Sequence, residues 1–307
     1  MVMAKVHSFE RQLTSREAAR LLGVSEASVK RWADSGLLPT AKTAGGHRRF
    51  RPEDIAIFRR QGVIEKDPTH DDGTKRRAAR VTTPEITEAE TERAFYEAVL
   101  EGRGEQAAAI LVRLHLNGST VARLADSVIC PAMRRVGDLW HRGDLSVAQE
   151  HVATRAAHEA LGALRTSINH RKPHGKRAIC CATESDFHEL PVQMAVLTLE
   201  EHGWEVINLG SSTPFYSLAE SVERYSPRLV CVASTMLEGL DRAARDYSIL
   251  SNVTRKHGNA LVMGGVGLTH EDVRDRFPAD LHASSFEDLE SFIGGIVQAD
   301  DANAVLN

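Results

Sequence analysis

Asp186 and His188 place a carboxylate two residues before an imidazole, in a loop directly after the apolar run at residues 178–182. An imidazole nitrogen is a natural ligand for a transition metal. A carboxylate that accepts a hydrogen bond from the other ring nitrogen sets the ring's tautomer and direction. The pair is therefore read as an axial ligand for a metal-bearing cofactor, with His188 as the ligand and Asp186 as its support. Two more places carry small or polar residues that could border the same group: Ser234-Thr235, after residues 229–233, and Gly264-Gly265, after residues 260–263.

The surrounding pattern predicts how these residues are positioned. Residues 178–182, 204–209, 229–233 and 260–263 read as short buried strands. Residues 191–202, 216–225 and 238–257 read as helices, the first opened by Pro191 in its first turn. Strands alternating with helices of ten or more residues imply a doubly wound, flavodoxin-like parallel sheet, whose ligands lie beyond the carboxyl ends of the strands. His188, Ser234-Thr235 and Gly264-Gly265 all fall at such ends, so three separated segments should meet at one crevice.

The order Asp186-Phe187-His188, then Ser234-Thr235-Met236, then Gly264-Gly265 resembles the cobalamin-binding domain of methionine synthases, corrinoid proteins and several mutases. The family loop is Asp-x-His-x-x-Gly, so Pro191 stands in place of its glycine, and Met236 is bulkier than the usual residue. The resemblance implies that His188 binds cobalt from the lower face. It also implies that the nucleotide tail runs past Ser234 and Thr235 to Gly264 and Gly265.

Residues 85–169 are helical in pattern and divide at 102–104, 117–118 and 143–144 into four segments, which is most simply a four-helix bundle. In the last segment Ser146 and Gln149 form a capping box. At 100° per residue Glu150 shares a stripe with Ala157, Leu161, Leu164 and Ile168. A carboxylate on an apolar stripe requires a polar partner, so Glu150 is a candidate for contact with a ligand.

The first 61 residues have a different character. Thr14 to Glu17 read as a capping box opening a helix to Leu22, Gly23-Val24 as a turn, and Ser25 as the cap of a second helix stopped by Gly36. This is a helix-turn-helix, with Ser28, Lys30 and Arg31 directed to a major groove. A glycine-turn hairpin follows, carrying His47, Arg48 and Arg49 for phosphate or minor-groove contact, and then a helix opened by Pro52. The motif Gly45-Gly46-His47-Arg48-Arg49-Phe50 resembles the wing of the MerR-type regulators. Residues 62–84, broken by Gly62, Asp67-Pro68 and Asp71-Asp72-Gly73, read as a flexible linker.

Trp140, nine residues, and then Glu150-His151, between such a head and a cobalamin signature, resembles the CarH-type photoreceptors. The resemblance implies adenosylcobalamin held between the bundle and the α/β domain. Trp140 packs over the adenosyl group, Glu150 hydrogen-bonds it, and His151 supports the pocket. It further implies a light-responsive repressor of double-stranded operator DNA, tetrameric in darkness, rather than an enzyme. His141, next to Trp140, is a candidate upper cobalt ligand after photolysis. The alternatives are a MerR-type regulator sensing cobalamin supply or another ligand, and a corrinoid methyl carrier.

Whole-chain properties agree with several domains. The 307 residues are 42% hydrophobic and 26% charged, ordinary values for a globular protein. Residues 1–80 carry 17 Lys and Arg against 10 Asp and Glu, whereas residues 81–307 carry 21 against 32. A basic head on an acidic body is the electrostatic footprint of nucleic-acid binding. Four cysteines without a C-x-x-C pair read as core thiols. The expected organisation is a head at 1–61, linker at 62–84, bundle at 85–170 and cobalamin-type domain at 171–307. The absence of an apolar run of membrane-spanning length, and of a signal peptide, leads to an expected cytoplasmic location.

Overall fold

The computed structural model describes residues 13–22, 24–43, 45–51, 54–55, 58, 87–168 and 170–306. The expected turn at Gly23, the helix start at Pro52 and the linker at 62–84 lie outside them. The chain divides into two compact units, residues 1–85 and 86–307.

In the first unit, strand β1 (Leu13–Thr14) leads into α1 (Ser15–Leu22), and α2 spans Glu26–Asp34. The Thr14 hydroxyl accepts from the Glu17 amide, and the Glu17 carboxylate accepts from the Thr14 amide at 2.7 Å, the reciprocal bonds of a capping box. Ser25 caps α2 by accepting from the Ser28 amide. Gly36, with φ of 74°, turns the chain out of α2 in the left-handed region. Strands β2 (Ala41–Lys42) and β3 (Arg48–Phe50) form the hairpin, and β1 pairs with the far side of β3 to make an antiparallel sheet in the order β1-β3-β2. That third strand is absent from the sequence reading: two residues are too few to leave an alternating pattern. Val29, Trp32, Leu38, Phe50, Ile55 and Phe58 close the core, with the Trp32 and Phe58 rings 4.9 Å apart and tilted by 47°.

The second unit begins with the helical bundle: α3 (Glu88–Leu100), α4 (Gly104–Leu116), α5 (Val121–Leu124), α6 (Cys130–His141) and α7 (Val147–Ser167). The third expected segment is continuously helical, because a π-helical stretch at Ala125–Ile129 joins α5 to α6. An α/β part follows, with strands β4 (Arg177–Thr183), β5 (Glu205–Thr213), β6 (Leu229–Ala233), β7 (Ala260–Gly264) and β8 (Leu281–Ala283). The intervening helices are α8 (Glu189–Glu201), α9 (Phe215–Tyr225), α10 (Leu240–His257) and the short α11 (Glu271–Arg274). The chain ends in α12 (Phe286–Leu306).

The five strands are parallel in the order β5-β4-β6-β7-β8, the flavodoxin-like winding. Winding reverses between β4 and β6, so the switch point lies at the carboxyl ends of these two strands. Helix α8 starts at Glu189, two residues before the expected proline start. Pro191 still sits within the first turn, where a missing amide hydrogen costs no helical bond.

Helix α8 is apolar on nearly every side because it is covered on nearly every side. Leu190, Met194 and Leu197 belong to the bundle core, whereas Val192, Ala195, Val196 and Leu199 pack against the sheet. The helix that opens at His188 is thus shared by both halves of the second unit.

Candidate corrinoid site and DNA-reading head

The loop after β4 is anchored at the switch point. Asp186 is fully buried, and one carboxylate oxygen accepts from the His188 ring Nδ1 at 2.8 Å and from the His188 amide at 3.0 Å. Its other oxygen accepts from the amides of Thr235 at 2.5 Å and Met236 at 3.2 Å, in the loop after β6. One carboxylate therefore ties the two loops together. Burial alone would raise the Asp186 carboxyl. The four hydrogen bonds from the His188 ring and the three amides outweigh it and hold the group below its usual range.

With Nδ1 committed to a carboxylate, Nε2 of a neutral His188 carries the lone pair, and the side chain is 51% exposed. The Asp186 hydrogen bond raises His188 above the ordinary imidazole value. Burial opposes the rise, and the charges of Asp186 and Glu150 add to it. The last of these charges belongs to α7 of the bundle. This donor set fits a corrinoid cobalt: an outward imidazole nitrogen, locked from behind by a buried carboxylate.

Serines brace the loop. Ser185 and Ser212 both hold positive φ, 64° and 51°, and the Ser185 amide donates to the Ser212 hydroxyl while the Ser212 amide donates to the Asp186 carbonyl. Left-handed backbone at a residue other than glycine costs about 1–3 kcal/mol and persists where the surroundings enforce it. No sequence pattern marks these serines, because the strain arises only when the two loops dock.

Beside the loop, a cavity of about 470 Å³ opens between α8, the strand ends and the bundle. Thr235, Gly264, Gly265 and Pro191 border it. Its volume suits a ligand group of drug size. Ser234, expected to face the tail, is instead fully buried, 3.3 Å from the Thr183 hydroxyl. Gly265 has φ of 110°, and a Cβ there would lie 2.3 Å from the Ser234 carbonyl oxygen. Its glycine is thus demanded first by the neighbouring loop's backbone. Met236 is half exposed and stands outside the cavity wall. Asp126 and Arg134 of the bundle reach the wall and escaped the sequence reading, since nothing local distinguishes them from solvated helix charges.

At the open end of the bundle, Trp140 is 48% exposed at the close of α6, and His141 and His151 are exposed. Glu150 accepts from the Thr154 hydroxyl at 2.6 Å and lies 3.7 Å from His151 Nε2. The rest of its stripe, Ala157, Leu161, Leu164 and Ile168, is buried, so the helix leaves the bundle core at the Glu150 turn.

In the head, Lys30 and Arg31 are exposed on α2, and Lys30 pairs with Glu26 at 2.9 Å. The Ser28 hydroxyl is 3.0 Å from that of Ser25. His47 is exposed at the hairpin turn, and Arg49 is partly buried. Arg48, expected to reach DNA, pairs with Asp34 at the end of α2 and so clamps the wing to the second helix.

A helix-turn-helix domain model matches residues 13–62, and a B12 binding domain model matches residues 91–165, the bundle that carries Trp140, Glu150 and His151. The chain is 24% identical over 260 residues to the HTH-type transcriptional repressor CarH of Myxococcus xanthus, covering 78% of this chain and 82% of that one. It is 20% identical over 204 residues to trimethylamine corrinoid protein 1 of Methanosarcina acetivorans, covering 66% and 94%. The monomethylamine corrinoid protein of Methanosarcina barkeri shares the fold, with a TM-score of 0.58 and 14% identity over 68% of this chain and all of that one. No described helix is long and apolar enough to cross a membrane. A helix-turn-helix domain thus precedes a B12 binding domain in this chain, which is similar over most of its length to the repressor CarH.

Proposed function

We propose that the chain is a light-responsive transcriptional repressor with adenosylcobalamin as its chromophore. The observation that carries the reading is the His188 ring, locked through Nδ1 by buried Asp186 so that Nε2 is left to bind in the loop after β4. In this reading His188 would hold the cobalt, and Thr235, Gly264 and Gly265 would border the nucleotide tail. Trp140 and Glu150 would hold the adenosyl group, His151 would support them, and His141 would be a replacement cobalt ligand after light. Bound there, the cofactor supplies a photolabile cobalt–carbon bond.

The chain's own residues carry the signal onward. Trp140 and Glu150 flank the turn between α6 and α7, so their hold on the adenosyl group would set the position of the bundle end. Leu190, Met194 and Leu197 embed α8 in that bundle, and Val192 and Val196 embed it in the sheet. Packed interfaces of this kind shift between discrete arrangements rather than deform continuously. A displaced bundle therefore alters the surface on which subunits associate. In darkness a tetramer brings several heads to neighbouring operator segments, and its disassembly lowers DNA affinity through reduced effective concentration, with every base contact intact. Cytoplasmic location follows from this role.

A corrinoid methyl carrier is the second reading, favoured by the likeness to trimethylamine corrinoid protein 1. The head at residues 13–62 speaks against it. Sizing the purified chain with adenosylcobalamin in darkness and after green light separates the two. The repressor should form a coloured tetramer that dissociates and releases operator DNA on illumination. A colourless protein, or a coloured one whose size and DNA binding ignore light, would overturn the proposal.

A further inference from the structure

At the far end of α8, about 20 Å from His188 for a helix of this length, a second cluster joins the bundle to the α/β part. Glu201 and His202 end α8, and Glu290 reaches them from α12. One carboxylate oxygen from each glutamate and one imidazole nitrogen lie within 4.8 Å of one another. Glu201 and His202 are each 8% exposed and the Glu290 side chain is 22% exposed, so the group is largely withdrawn from solvent.

Each member is held from behind, leaving one donor atom facing its neighbours. His202 Nδ1 is 2.9 Å from the Thr198 carbonyl, which can only accept, so Nδ1 carries the hydrogen and Nε2 of the neutral ring carries a lone pair. Glu201 accepts the Val121 amide at 2.9 Å on one oxygen, and Glu290 accepts the Thr120 hydroxyl at 3.3 Å on one oxygen. The remaining Glu290 oxygen lies 3.2 Å from His202 Nε2. A lone pair facing a carboxylate oxygen is repulsive unless something positive stands between them. Two ligands on a tetrahedral ion with bonds of about 2.0 Å sit about 3.3 Å apart. His115, 3% exposed, donates from Nδ1 to the Ser119 carbonyl at 2.9 Å, with the other Glu201 oxygen 3.6 Å away, and its Nε2 is buried without a partner. Among the described residues the ion pairs of Glu201 and Glu290 are with imidazoles and not with lysine or arginine.

We propose that Glu201, His202 and Glu290 bind a divalent first-row metal ion. One imidazole and two carboxylates, each oriented by a hydrogen bond to its other polar atom, make a donor set suited to Zn²⁺ or Mn²⁺. Because two of those orienting bonds come from Thr120 and Val121, the ion fastens the start of α5 to the end of α8. It acts on the seam between bundle and sheet, at the opposite end of the helix that His188 opens.

Calorimetric titration of the chelator-treated full chain with Zn²⁺, cobalamin absent, tests this. The parent should bind one equivalent that Glu290→Gln weakens at least tenfold and that Glu271→Gln, on exposed α11, leaves unchanged. The carboxamide oxygen that Glu290→Gln introduces can still accept from Thr120, so circular dichroism should show the fold kept, and Glu201→Gln should repeat the loss. Zn²⁺ bound elsewhere is common to all variants and cancels in the comparison. Chelation should lower the melting temperature of the parent and not that of Glu290→Gln. Equal Zn²⁺ affinity in parent and Glu290→Gln, or no Zn²⁺ bound, would overturn the site. A His202 ring that nitrogen NMR finds doubly protonated with Zn²⁺ in excess would assign the contact to an ion pair and equally remove it.

Discussion

His188 is held from one side only, and that asymmetry decides its chemistry. Asp186 takes Nδ1 and both of its oxygens are satisfied, so Nε2 is the atom left to bind. The sequence spacing of carboxylate and imidazole made this pair visible, because a two-residue separation in a loop lets the side chain reach forward to its neighbour. The sequence did not show that the same carboxylate also caps the Thr235 and Met236 amides, a contact across about fifty residues. The pair has a measurable proton signature. With the folded value of His188 raised above 6.5, protonation of the cofactor-free protein stabilises the fold below that pH, and the gain is lost as pH rises through the raised value. Asp186, lowered below 3.8, contributes stability above that pH and loses it as pH falls through its own folded value. A proton NMR titration of the cofactor-free chain should place the His188 midpoint above 6.5, and Asp186→Asn should bring it back towards 6.5. A midpoint that does not move in Asp186→Asn would show that this carboxylate does not set the imidazole's proton affinity.

At the scale of elements, the β-strand ends matter more than the strands. The expected strands form with ends shifted by a few residues, because apolar runs report burial and not the point at which pairing stops. β5 runs four residues past its expected end at Leu209, through the bend at Gly210, and carries Ser212 to the His188 loop. Gly264 and Gly265 were legible as a pair, but the reason for glycine was not: Gly265 lies against Ser234 of the adjacent loop, and Gly264 against Ala283 of β8. Gly265→Ala should therefore destabilise the chain by about 2–4 kcal/mol, combining backbone strain with a backbone clash. Gly210→Ala, left-handed with φ of 77° but with open space around it, should cost about 1 kcal/mol. Denaturant unfolding of the two variants checks the order, and equal losses would mean that the Ser234 contact is relaxed at little cost. In the head, the caps at Thr14 and Ser25 were readable since they act within four residues. The Arg48–Asp34 clamp spans fourteen and was not.

For the whole molecule, the two units carry different physics. The first reads as an electrostatic module and the second as a packed device in which α8 couples bundle to sheet. Asp126 adds to that coupling by accepting the Phe286 and Glu287 amides at 2.9 Å, so that the π-helical stretch caps the last helix. If Lys30 and Arg49 contact phosphates, alanine at either should weaken binding to all DNA sequences alike. The slope of log affinity against log salt should become shallower by about 0.9 for each phosphate no longer neutralised. Fluorescence anisotropy at several salt concentrations measures this, and a slope equal to that of the parent would show that these side chains touch no phosphate.

What the sequence by itself determined is whatever is written in short-range spacing: the helix-turn-helix caps, the alternation of strand and helix, the Asp186–His188 pair and the two glycines. These depend on residues a few positions apart, where chain geometry leaves little choice. Tertiary structure alone decided what the long-range contacts do. It bent two serines into left-handed backbone, buried Ser234, turned Arg48 onto Asp34, and brought Glu201, His202 and Glu290 together from two helices. Such contacts are set by how separate faces dock, and the periodicity of one segment carries no record of its partner.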